Sequence, residues 1–137
     1  MAELFASDTW LATVLTADAE LNALVSGRIY GHVIASSAVY PLAMFSLQTA
    51  RDIQGLGPAR IMVDSLYIVR GIVEASTFGG TLKSIADRID AILQAASGSN
   101  VNGSVLACVR EQPFLYVEPY QGRQYRHLGG IYRIWSQ

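Results

Sequence analysis

Cysteine occurs once in the 137 residues, at Cys108, so the chain has neither an internal disulfide framework nor a cysteine-based zinc site. Histidine occurs only at His32 and His127, without a His-x-x-x-His spacing and with no carboxylate pair nearby in sequence. No catalytic, metal-ligating or cofactor-binding residue is expected from these patterns. Charge is scarce as well. Asp, Glu, Lys and Arg make up 15% of the chain, against about 25% in an ordinary globular protein. A net charge of −1 and a pI near 6.1 exclude the basic excess that drives tight nucleic-acid binding through counterion release. From Ile29 to Ala50 there is no charged residue at all, yet Gly31, His32, Ser36, Ser37, Pro41, Ser46 and Gln48 interrupt the stretch. It therefore offers no run of about twenty apolar residues that could cross a bilayer as a helix. Burial in the chain's own core or against another subunit remains. At the N-terminus, Glu3 and Asp8 stand where an export signal carries positive charge and then an apolar run, so the chain is expected to stay unexported.

What is abundant is apolar surface. Hydrophobic residues reach 51% and the mean hydropathy is +0.28, more than a single domain of this length readily encloses. The surplus points to an obligate oligomer, because soluble monomers rarely leave large apolar patches in water. Arg51, Arg60, Arg110, Arg123, Arg126 and Arg133 stand against the single Lys83, a bias suited to ion pairs between subunits and equally compatible with solvated strand faces.

The order of elements reads as α+β in one domain, residues 1–137. Leu11, Val14, Leu15, Leu21, Leu24 and Val25 fall at helical spacing, with Ser7 and Asp8 as candidate N-caps, Thr16 as a candidate cap of a second piece, and Gly27 as the stop. One bent helix and two short ones fit equally. The "RIY" at Arg28–Tyr30 suggests a short strand. In "LAMFSLQT", Ala43, Phe45 and Leu47 alternate against Leu42, Met44 and Ser46. "ARDIQGLGPAR" reads as a loop on account of Gly55, Gly57 and Pro58, and Arg60–Ala75 as a central strand apolar on both faces. Leu82, Ile85, Ala86, Ile89, Ile92 and Leu93 form one stripe, predicting a long amphipathic helix over about 77–96 with Ser76, Thr77 or Thr81 as its cap. "SVLACVREQPF" and "QYRHLGGIYRIWSQ" close an antiparallel-leaning sheet packed on the N-terminal helical segment and that helix.

Motifs with chemical promise are few. "GGTLKS" at Gly79–Ser84 lacks the G-x-x-x-x-G-K-[ST] spacing of a phosphate loop, and a turn into a helix accounts for it better. Cys108 sits on an alternating apolar strand, where a buried inert thiol is the ordinary outcome. "NGS" at Asn102–Ser104 is more simply a turn than a glycosylation site. No G-x-S-x-G element is present. An enzyme or ligand-binding module using His127, Cys108 or the "FGGTLKS" turn is the distant alternative.

Asp18, Leu21, Leu24, Val25, Gly27, Arg28, Ile29 and Tyr30, followed by Tyr40 and Pro41, make up a "D-x-x-L-x-x-L-V-x-G-R-I-Y … Y-P" pattern. In this, and in the later long strand, amphipathic helix and closing "YRIW" strand, the chain resembles the tail completion or tail terminator family of long-tailed bacteriophages. Gly31 departs from the Asp that many members carry there. The resemblance implies a virion protein without enzymatic activity, assembled in the host cytoplasm as a homo-oligomeric ring, usually a hexamer, at the head-proximal end of the tail tube. It implies a tail tube protein and a neck or connector protein as partners, no cofactor, no membrane, and DNA passing through the lumen without specific binding. Another neck, head-completion or tube component is the nearer alternative. Candidate interface residues are Tyr30, His32, Val33, Ile34, Val39 and Tyr40 in the charge-free stretch. Arg51, Ile53 and Leu56 are added from an expected assembly loop at Arg51–Pro58, and Arg126 and Arg133 from the last strand. His32–Val39 is expected to be covered by a neighbouring subunit or tail partner.

Overall fold

Asp18 divides the N-terminal helical segment in two. In the computed structural model, which describes residues 1–74 and 80–137, α1 runs Ala2–Ala17 and α2 runs Ala19–Val25. Asp18 lies extended between them, and its carboxylate accepts the Leu21 N–H at 2.9 Å as the N-cap of α2. Thr16 is therefore not the cap, and its hydroxyl bonds back to the Ala12 carbonyl. Nor do Ser7 and Asp8 start α1, which already begins at Ala2. Ser7 is buried with Ala6, Trp10, Leu11 and Leu15 on the packed side, and Asp8 reaches out to other elements. Ser26 ends α2 in the left-handed conformation, and the Gly27 N–H bonds the Asn22 carbonyl.

The chain is α+β. The remaining elements are β1 (Ile29–Gly31), β2 (Leu42–Gln54), β3 (Arg60–Glu74), α3 (Gly80–Leu93), β4 (Gly98–Asn100), β5 (Gly103–Tyr120) and β6 (Arg123–Ser136). The strands form one mixed sheet in the order β1-β2-β3-β6-β5-β4, curled into a half-barrel. Among the described residues, only the β1–β2 pairing is parallel.

Helix α3 buries Leu82, Ile85, Ile89 and Leu93, the predicted stripe. It ends at Leu93 rather than near 96, because Ala95 turns left-handed and donates its N–H to the Cys108 carbonyl. The cap candidates Ser76 and Thr77 lie outside the described residues, and Thr81 is inside the helix. "ARDIQGLGPAR" is only partly a loop. Strand β2 continues through Arg51 and Ile53 to Gln54, paired with β3 across an irregularity between Ile53 and Gln54, and the connection is 55–59, closed by the Gly55 N–H on the Ala59 carbonyl. Arg51 and Ile53 are thus strand residues.

The three described helices pack on one face of the sheet. Trp10, Leu15, Leu21, Ile85, Ile89 and Leu93 meet Ala43, Phe45, Tyr67, Val69, Tyr132 and Ile134 there, the alternation predicted for β2. Helix α3 comes so close to β3 that a Cβ on Gly71 would lie 2.5 Å from Cγ2 of Ile85. The opposite face is open except at one end, where Tyr30, Ile34, Ala38, Tyr40 and Tyr125 pack on Leu42, Met44 and Ile72.

Candidate assembly surfaces

The connection from β1 to β2 is held by its own chain at several points. His32 adopts a left-handed conformation, its N–H bonds the Phe45 carbonyl at 2.7 Å, and its Nε2 lies 2.6 Å from Asp8 of α1. Asp8 also accepts from the buried Tyr67 hydroxyl at 3.1 Å, so one carboxylate ties the helix, the sheet and the connection together. Gly31 stands at a place with no room for a side chain, since a Cβ there would sit 2.7 Å from the Phe45 ring. Tyr30, Ile34 and Tyr40 belong to the small cluster at the covered end of the open face, where Tyr40 stacks at 4.8 Å on Tyr125. Val33 and Val39 point away, 74% and 60% exposed. Between this connection and the β5–β6 turn lies an open cavity of about 1020 Å³ lined by Ile34–Tyr40, Glu118, Tyr120 and Arg123.

The predicted arginines fall on the sheet. On the open face, Arg51 pairs with Asp64 at 3.1 Å, Arg133 pairs with the same Asp64, and Arg133 also holds Glu111. The hydrogen bonds to Glu111 and then Asp64 raise the Arg133 pKa, so this guanidinium stays charged. Arg126 is half-buried on β6. Ile53 is half-buried on β2, while Leu56 stands fully exposed at the tip of 55–59, apart from the rest.

A second polar group crosses the same face. Arg70 donates from Nε to His127 Nδ1 at 3.0 Å and from Nη1 to Ser46, and its Cζ lies 5.6 Å from the centre of the Phe114 ring. His127 Nε2 meets Glu118 at 2.9 Å. Burial chiefly lowers the His127 pKa. The Glu118 hydrogen bond works against that and nearby Arg70 reinforces it.

The surface that sequence reading missed is the far half of the β5–β6 hairpin. Leu115, Tyr116, Val117 and Tyr120 are all exposed there. Beyond Arg110 no described strand covers the outer edge of β5, and beyond Phe45 none covers β2. The signal was present in "QPFLYVEP", apolar residues between two prolines. Pro113 and Pro119 lack an N–H, so a strand holding both is an edge strand.

Among the described residues no group of His, Cys, Asp and Glu is placed to hold a metal ion. No described helix is long and apolar enough to cross a membrane. Cys108 is buried and its thiol is pushed up to about 12 by burial, so it is no nucleophile at neutral pH. Asn102 forms the turn between β4 and β5, as expected. Of "FGGTLKS", Phe78 and Gly79 lie outside the described residues, and Lys83 pairs with Asp87 along α3.

No protein-family model and no curated protein matches the chain. Among solved structures it is similar to a chain from the virion of a native gene transfer agent (GTA) particle. The TM-score is 0.68, 92% of each chain is covered, and 19% of residues are identical. That likeness shows a shared fold.

Proposed function

We propose that this chain is a structural protein of a phage-type virion. In this reading it is a tail terminator that forms a homo-oligomeric ring, of hexameric order, at the head-proximal end of the tail tube and joins the tail to a neck or connector protein. The observation that carries the reading is the fold shared over nearly its whole length with a chain of a virion particle. The geometry supports it. A ring requires a heterologous contact, one patch on each side of every subunit, and the sheet presents uncovered edges on opposite sides, β2 and β5. With the helices outward, the open face lines the lumen. Arg51 and Arg133 are paired with Asp64 and Glu111 on that face, and Arg70 is bonded to His127 and Ser46, so DNA would meet a wall that does not grip phosphates. Assembly of this kind needs no catalytic residue, and we read the protein as non-enzymatic.

Negative-stain microscopy and sedimentation of the purified protein test the reading. Rings that bind the ends of tail tubes are expected, and deletion of the gene should give overlong or unjoined tails beside filled heads. A monomer at high concentration that leaves tube ends bare would refute it. Tails of normal length after deletion would point instead to another neck component.

A further inference from the structure

Four charged side chains, one from each long strand, make a row across the open face: Arg51 on β2, Asp64 on β3, Arg133 on β6 and Glu111 on β5. Sign alternates along it. Asp64, in the middle, is 4% exposed and shared by both arginines, whereas the ends face solvent, Arg51 with 73% and Glu111 with 41% of the side chain exposed. Both ends are incompletely used. Arg51 directs Nε and Nη2 at Asp64, leaving Nη1 without a partner among the described residues. Glu111 gives Oε1 to Arg133 and has no such partner at Oε2. A row that ends in an arginine at one sheet edge and a carboxylate at the other is complementary to itself head to tail.

We infer that Glu111 of one copy pairs with Arg51 of the next, so that the alternating row runs on from subunit to subunit. The inference rests on the ring reading above and names the contact that sets its register. Strand direction agrees. Each neighbour in β2-β3-β6-β5 is antiparallel to the last, so β5 runs opposite to β2, and copies laid edge to edge with their open faces on one side meet antiparallel. Glu111 is the extra residue of a bulge between Arg110 and Gln112, the kind of irregularity that re-aims a side chain. Pro113 and Pro119 remove backbone donors from the same strand, so a side-chain pair rather than a long ladder must fix how the copies align.

Sedimentation velocity of Arg51→Glu, of Glu111→Arg and of their equimolar mixture tests this, with circular dichroism confirming that each chain is folded. Each variant alone places like charges at every junction and should assemble about tenfold or more weakly than wild type. The mixture should recover wild-type assembly, because alternating copies again join opposite signs. If wild type assembles and both variants assemble equally well, or the folded mixture stays dissociated, the pair is overturned while the ring stands. If wild type remains a monomer throughout, both fall. Should a reversed chain not fold, Arg51→Gln and Glu111→Gln replace it. Weaker assembly with a shallower salt dependence is then expected, and unchanged assembly overturns the pair.

Discussion

Arg70 donates its Nε hydrogen to Nδ1 of His127 at 3.0 Å, and this contact fixes the state of the imidazole. Nδ1 must be the acceptor, so the ring proton sits on Nε2 and points at Glu118. A second proton could enter only by displacing the guanidinium and leaving two cations side by side.

Stability should therefore fall with acidification in the range of this histidine. Burial holds the folded pKa below the ordinary 6.5, so below pH 6.5 the unfolded chain takes up a proton that the folded chain refuses. The contribution is whole above 6.5 and declines as pH drops toward the folded value. Urea unfolding at pH 7.5 and 5.5 should show wild type losing more stability than His127→Gln. Equal losses would mean that His127 titrates alike in both states.

Asp18 titrates in a different window. Hydrogen bonds from Arg88, at 2.6 and 2.8 Å, hold its pKa at about 2 against 3.8 unperturbed. Its stabilisation is present above 3.8 and is lost as pH falls toward 2. Asp18→Ala removes both the α2 cap and the link to α3 and should cost about 1–2 kcal/mol in denaturant unfolding at neutral pH. Asp18→Asn keeps the cap and should cost less. If the two cost the same, the cap contributes nothing here.

Gly71 and Ile85 should behave as a coupled pair. Gly71→Ala forces a methyl into Cγ2 of Ile85, an overpacking worth about 1–3 kcal/mol. Ile85→Ala alone opens a cavity and costs about 2–4 kcal/mol. Together they should cost clearly less than the sum, since the new methyl fills part of the space vacated. Strict additivity in thermal or urea unfolding would show that β3 and α3 move apart instead.

Regular packing was legible in the sequence and long-range pairing was not. The Ala43-Phe45-Leu47 alternation and the Leu82-Ile85-Ile89-Leu93 stripe each announce their element because both repeat against one core. Ala50–Gln54 do not. They are mostly exposed and polar, and they are strand because Arg60–Ser65 pair with them. The prolines at 113 and 119 suggest breaks, yet β5 passes through both because an edge strand need not donate on its outer side. Arg51 and Arg133 stand out in the sequence, but their shared partner does not. Asp64 lies 69 residues from Arg133, and Glu111 enters the row through a bulge that no spacing rule reveals.

The exposed half of the β5–β6 hairpin should matter to assembly and not to the fold. Leu115 is 71% and Val117 46% exposed, so Leu115→Ser with Val117→Ser should shift monomer unfolding by only about 0.5 kcal/mol at Leu115 and about 1 kcal/mol at Val117. Ring formation should weaken, as read by sedimentation. Rings of undiminished stability would leave this apolar surface without a part in the subunit contact.

The two ends of the strands should serve different partners. The 55–59 connection, with Leu56 at its tip, lies at the end of the sheet where β3 begins and β6 ends. The Gln121–Gly122 turn lies at the other end, beside the last residues of β3. In a ring with its strands running along the lumen, these tips face opposite ways, one toward the tube and one toward the neck. Leu56→Ser and Tyr120→Ser should therefore each leave rings intact, and each should abolish a different attachment when rings are mixed with tubes or with neck protein. Loss of the same attachment by both, or of neither, would show that the strands do not run along the ring axis.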